Sequence, residues 1–268
     1  MTSAVRTAAT KRPAMDSMRK TALVAGVFYL ISFISIPSLA LYGIVKNDPS
    51  FIISAGNDTG ILVGGFLEMI VALAGIGSAI ALFSVIKRQH EGFALGLVGT
   101  RLFEGGVIAI GVMSILSVTT LQQPGATGAE ATSLVTVGQS LVATHNWAFL
   151  LGQSLMPALN ALMLGTVMYR SGLVPRILPV LGLIGAPLLI ATTVATLFGV
   201  IEQWSAVGGL SAMPIFVWEL GLGLWLTFKG FKSSAPLMIA AAARTGTLDG
   251  PATALPSRTE VTAKASAA

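Results

Sequence analysis

The chain has 268 residues, of which 54% are hydrophobic and only 10% charged, against about 25% charged in an ordinary soluble domain. That deficit excludes a soluble globular fold, because a water-facing surface of this size needs far more Asp, Glu, Lys and Arg. With no cysteine, disulfide frameworks and thiolate metal or iron–sulfur sites are excluded too. The net charge of +5 implies nucleic-acid binding only if the basic residues form one patch.

Residues 1–18 form a polar, basic N-tail read as disordered, with Arg6, Lys11, Arg12 and then Arg19-Lys20 leading into the first apolar run. Thr21 to Ile44 carries no charge and, at about 1.5 Å per residue, is long enough to cross a hydrocarbon core of roughly 30 Å. A secretory signal peptide ending at Ser38-Leu39-Ala40 is the competing reading. Against it, the apolar run continues past that point and further spans follow. Five more segments of spanning length succeed it: Gly60 to Ile86, Phe93 to Leu121, Trp147 to Tyr169, Ile177 to Ile201 and Ser211 to Phe231. Lipid-exposed backbone must satisfy its own hydrogen bonds, and the period-two alternation of a barrel is absent. The expected fold is therefore an all-α integral membrane bundle of six transmembrane helices within residues 19–232.

Between spans three and four, Leu134, Val137 and Leu141 lie at helical spacing in the stretch Gln122 to Asn146. This is either a short helix on the membrane surface or an early start of span four. Trp147 and Trp204 suit an aromatic belt at headgroup depth. Residues 233–268 are a mixture of Ala, Ser, Thr, Pro and Gly read as a disordered C-tail.

Fourteen of the 16 basic residues fall in the two tails and the second and fourth connections; Lys46 is the sole one in the other three connections, and Arg101 lies within a span. The positive-inside rule then puts both termini in the cytoplasm, and the +5 becomes an orientation signal rather than a nucleic-acid patch. A weak repeat relates Leu95-Gly96-Leu97-Val98-Gly99 to Leu181-Gly182-Leu183-Ile184-Gly185. It implies a parallel duplication of spans two and three onto four and five, or chance in a chain with 30 glycines.

The stretch Tyr169-Arg170-Ser171-Gly172-Leu173-Val174-Pro175-Arg176-Ile177-Leu178, with Glu219, Leu224-Trp225-Leu226 and Lys229-Gly230 further on, resembles the bacterial "domain of unknown function 4386" family of multi-pass membrane proteins. The resemblance covers roughly Met18 to Lys232, and departs at Pro179, where the family commonly has glycine. It implies a bacterial plasma-membrane protein and supplies no activity.

Chemistry is concentrated in four ionisable residues inside spans: Glu68, Arg101, Glu104 and Glu219. Charges at bilayer depth are costly and face the bundle interior. In span three, Arg101 and Glu104 together cost about 5 to 7 kcal/mol near the centre, and the apolar residues of that helix return about 4 to 9. Arg101 and Glu104, three apart, share a helix face. On span two, Gly64, Glu68, Ala72, Gly75 and Ala79 form a stripe of small residues around one carboxylate, an expected packing face. Glu219 lies roughly 12 Å from the outer end of span six by the helical rise, with Glu68 at similar depth. All four are expected to meet in one central cluster, with Gln153 and Asn160 as uncharged partners. Three carboxylates against one guanidinium imply that at least one of them holds its proton near neutral pH.

Such a cluster is either a buried network that pins helix register or a proton- or cation-binding site. Pro37, Pro157, Pro179 and Pro187 can kink spans in static bundles and in transporters alike. Enzyme signatures are poor: there are two histidines, His90 and His145, no Asp within a span, and no complete G-x-S-x-G elbow near Ser140 or Ser154. His145 reads as an outer-surface or cap residue. The leading expectation is a non-enzymatic structural or accessory membrane protein with no cofactor or metal, whose partner is the lipid bilayer. The alternative is a small proton-linked carrier of a small molecule. A substrate-sized cavity reaching the cluster favours the carrier, and a sealed, fully paired cluster favours structure.

Overall fold

The computed structural model describes residues 17–241. Within them, six helical stretches are long and apolar enough to cross a membrane, and every regular element is helical.

The first stretch is broken. It runs as α1 (Ser17–Ile31), a 3₁₀ turn (Ser32–Ser35), α2 (Ser38–Leu41) and α3 (Gly43–Asn47), so the span expected from Thr21 to Ile44 is present within Ser17–Asn47 and is interrupted at its proline. Pro37 is the cause, since it has no N–H to give the Phe33 carbonyl four residues back. That carbonyl accepts from Ile36 N–H at 3.3 Å instead, and the Ser32 hydroxyl donates to the Tyr29 carbonyl at 2.6 Å.

Next come α4 (Thr59–Ile86) and α5 (Glu91–Thr120). The start of α5 is set by His90, whose Nδ1 accepts from the Phe93 N–H at 3.1 Å, with Glu91 favourable beside the positive end of the helix dipole. The fourth stretch, Gly128–Ser171, is 44 residues long, about 66 Å at the α-helical rise and twice the hydrocarbon thickness. The early start of span four is therefore the reading that holds. It comprises α6 (Gly128–Ala148), a π-helical turn (Phe149–Leu155) and α7 (Met156–Ser171). Pro157 denies the Gln153 carbonyl its helical donor, which accounts for the widened turn before it. Leu134 and Leu141 of α6 pack on a cluster of Tyr42, Val45, Phe51, Ile52, Ile115 and Val118, whereas Val137 is exposed.

Gly172 ends α7 in the left-handed region at φ +64°, its N–H donating to the Met168 carbonyl at 3.2 Å, and Pro175 follows. α8 (Ile177–Leu197) stays continuous through Pro179 and Pro187. α9 (Ala206–Phe228) begins with Ser205, whose hydroxyl accepts from Gly208 N–H at 3.3 Å. It therefore starts five residues before the expected Ser211. Beyond it, residues 236–241 are helical and Leu237 and Met238 pack on the main core, so the first part of the expected disordered C-tail is folded. Residues 242–268 of that tail, and 1–16 of the N-tail, lie outside the described residues, while Ser17 and Met18 already belong to α1.

The spans follow one another around a closed ring. α1 packs on α4, α4 on α5, α5 on α6 and α7, α7 on α8, α8 on α9, and α9 returns to α1. At this last seam Arg19 donates to the Leu226 carbonyl at 2.9 Å and the Thr227 carbonyl at 2.6 Å, satisfying backbone groups at the negative end of α9. The stripe on α4 faces inward: Gly64, Glu68, Ala72 and Ala79 are buried. Outward positions are apolar, as lipid requires, with Phe66 67% exposed and Leu73 and Ile80 similarly bare on α4.

Candidate functional site

The four ionisable residues form two groups rather than one cluster. The reason is depth. Glu68 lies about 14 Å along α4 from Thr59, at the end of the bundle opposite the basic connections, whereas Glu219 lies about 20 Å along α9 from Ala206. Arg101, about 15 Å up α5 from the basic end, therefore meets Glu219 and not Glu68.

In the deeper group, Arg101 Nη1 donates to Glu104 Oε1 and Oε2 at 3.1 and 3.0 Å, the i to i+3 pair expected on one helix face. Arg101 Nη2 reaches across the ring to Glu219 Oε1 at 2.8 Å. Asn160 of α7 donates its Nδ2 to Glu104 Oε2 at 3.0 Å and accepts from the Thr100 hydroxyl. The Tyr29 ring lies 5.6 Å from the guanidinium carbon. Gly75 of the α4 stripe lies beside it, where a Cβ would make an ordinary contact 3.5 Å from Arg101 Cδ. The Arg101 Nε–H is buried without a hydrogen-bond partner. Glu219 is the most open of the three, its side chain 17% exposed, and its Oε2 makes no hydrogen bond among the described residues.

The other group is centred on Glu68. Its Oε1 accepts from Gln153 Nε2 at 3.2 Å and its Oε2 from the Tyr42 hydroxyl at 3.3 Å. His145 Nε2 lies 3.5 Å from Glu68 Oε2, its ring edge-on to Tyr42 with centroids 5.0 Å apart. This corrects the placing of His145 on the outer surface or at a cap. The residue is 2% exposed, because α6 runs unbroken from Gly128 and carries it into the bundle. Tyr42 and His145 were both missed by sequence reasoning. A tyrosine near the end of the first apolar run and a histidine just before the fourth give no signal until the helices that carry them are paired.

A hollow of about 290 Å³ opens against the deeper group, with Arg101, Glu104, Gln153 and Glu219 on its wall. Its remaining lining comes largely from broken or proline-bearing helix: Ser32, Ser35 and Ser38 around the Pro37 break, Phe149 of the π turn, and Ala212 and Phe216 flanking Pro214 in α9. Pro214 was not among the prolines singled out from sequence. A second hollow of about 320 Å³ shares Leu39, Phe149 and Ala212 with the first and reaches Gln203, Trp204 and Ser205 in the connection between α8 and α9. The second hollow lies at the end opposite the basic connections and the first against Arg101. At their upper margin the Lys46 ammonium sits 4.6 Å from the Trp204 ring centre and 5.9 Å from that of Phe149. Trp204 thus packs on a cation and on Phe149, at 5.0 Å, besides being exposed as a belt residue would be.

The sequence profile of a family described as "Domain of unknown function (DUF4386)" matches residues 24–230, which takes in all six spans except the first turns of α1. No curated protein and no solved structure matches the chain.

Proposed function

The chain belongs to the DUF4386 family, whose description carries no activity, and we propose that it is a non-enzymatic, proton-linked carrier of a small molecule in the bacterial plasma membrane. The observation that supports this over a purely structural or accessory role is the hollow against Arg101, Glu104 and Glu219. A network that only pins helix register is best served by sealing, since buried ion pairs gain strength from excluded water. Here the most exposed carboxylate of the triad faces open space. Two interruptions of regular helix beside it, the Pro37 break and the π turn before Pro157, are features found where membrane helices line binding sites.

The basic ends, with Lys87, Arg88, Arg170, Arg176 and Lys229, are read as cytoplasmic by the positive-inside rule. Both termini are then cytoplasmic and the hollows open outward. A C-terminal reporter active only in the cytoplasm is the expected result, and activity only outside the cell would reverse the assignment.

The absence of cysteine makes the central test clean. In Ser35→Cys the sole thiol stands on the wall of the hollow. A charged, membrane-impermeant thiol reagent added from outside is expected to label it, and to leave Ile80→Cys, on the lipid face of α4, unlabelled. If the thiol at position 35 is unreactive in folded protein, the hollow is sealed and the structural reading replaces the carrier.

A further inference from the structure

The geometry points to a monovalent organic cation, an ammonium with an apolar body, as the ligand of the hollow, bound at Glu219. This rests on the carrier reading and adds the ligand class.

Charge decides first. Among the described residues, the charged side chains on the wall are Arg101, Glu104 and Glu219, and fully ionised they sum to one negative charge. The approach from Gln203 and Trp204 is lined by Gln, Ser and Thr, with the Lys46 ammonium at its margin held over the Trp204 ring. An anion reaching the wall would meet two carboxylates and a guanidinium that already donates to both of them. An ammonium would meet Glu219 Oε2, which has no hydrogen bond to lose. The rest of the wall suits an apolar body. Phe33 and Phe216 meet edge to face at 5.1 Å, beside Ile36, Leu39 and Val71, and aromatic faces attract cations. The volume of about 290 Å³ leaves space for a small organic molecule.

Neutrality follows from the same count. In a low-dielectric site the second carboxylate charge needs a positive partner, and with an ammonium bound the triad and its ligand sum to zero. The groups that face Glu219 are few. α5 supplies Arg101 and Glu104, α1 supplies Tyr29, α7 supplies only the uncharged Asn160 through Glu104, and α8 has no ionisable side chain. Glu68, Tyr42 and His145 form the separate group above.

The test is calorimetric titration of the full chain in detergent with benzyltrimethylammonium, with neopentylbenzene, its neutral isostere, and with benzoate. The cation is expected to bind at least about tenfold more tightly than either of the others. Neopentylbenzene or benzoate binding as well as the cation would overturn the inference. Glu219→Gln is expected to lose cation binding while Arg101 keeps Glu104. Should that variant fail to fold, Ser35→Phe fills the hollow without touching a charge and must also lose binding. The thiol test separates the two failures. If the thiol at position 35 is labelled and the cation refused, this inference falls alone; if it is never labelled, the carrier reading falls with it.

Discussion

Glu68 and Glu219 are carboxylates within the same bundle, yet one is enclosed and the other is not. Glu68 is 2% exposed and held by Tyr42, Gln153 and His145, drawn from the first and fourth stretches. Glu219 shares a guanidinium with Glu104 and turns its second oxygen toward open space. The difference teaches that an ionisable residue in a membrane helix is not by itself a site. What separates them is whether the neighbouring helices close over the group. Over Glu68 close Tyr42, beyond the Pro37 break, Gln153 of the π turn and His145 of α6; beside Glu219 the residues around the same two interruptions line a hollow instead.

The comparison breaks most severely at Arg101. Replacing it with Met leaves Glu104 and Glu219 without their cation, and removing one partner of a buried ion pair costs about 3 to 5 kcal/mol. The expected result is a large fall in folded yield and in thermal stability in detergent, with partial recovery in the triple variant that adds Glu104→Gln and Glu219→Gln. A singly substituted Arg101→Met protein as stable as the parent would mean that the triad does not hold α5 to α9.

Glu68→Gln sharpens it. The amide retains an oxygen for the Tyr42 hydroxyl, but its NH₂ now faces the Gln153 amide or His145, so the change costs about 1 to 2 kcal/mol, the range for a mismatched buried hydrogen bond. Labelling at a thiol in place of Ser35 and cation binding are expected to persist, because Glu68 is not on the wall of the hollow. Glu219→Gln has the opposite profile, with stability nearly retained and binding lost. Identical behaviour of the two variants would merge the groups that the structure separates.

The sequence carried the six spans because lipid tolerates only long apolar stretches, and it carried Arg101, Glu104 and Glu219 because charge there is conspicuous. It concealed what depends on register and pairing. The start of α9 at Ala206 shifts Glu219 deeper by five residues, more than one helical turn, and that shift takes it from the level of Glu68 to that of Arg101. Pro37 could be seen, but whether it kinks or severs a helix depends on which groups take up the freed Phe33 carbonyl. His145 looked external because it precedes the apolar run, and only the extra length of α6 draws it in.

The smallest effect separates the ring of Tyr42 from its hydroxyl. The ring is packed against α4 so closely that a Cβ at Gly64 would lie 2.6 Å from its Cε1, and Tyr42→Phe keeps that contact. What goes is one hydrogen bond of 3.3 Å to Glu68, and single hydrogen bonds between membrane helices average about 0.6 kcal/mol. His145 and Gln153 remain beside the carboxylate, so a drop of about that size is expected in a denaturation titration. In a double-mutant cycle with Glu68→Gln the two costs should fall short of additivity, because the amide oxygen still accepts from the hydroxyl but without full charge. Strict additivity would show that the hydroxyl does not serve Glu68, and would move Tyr42 from the enclosed group to simple packing.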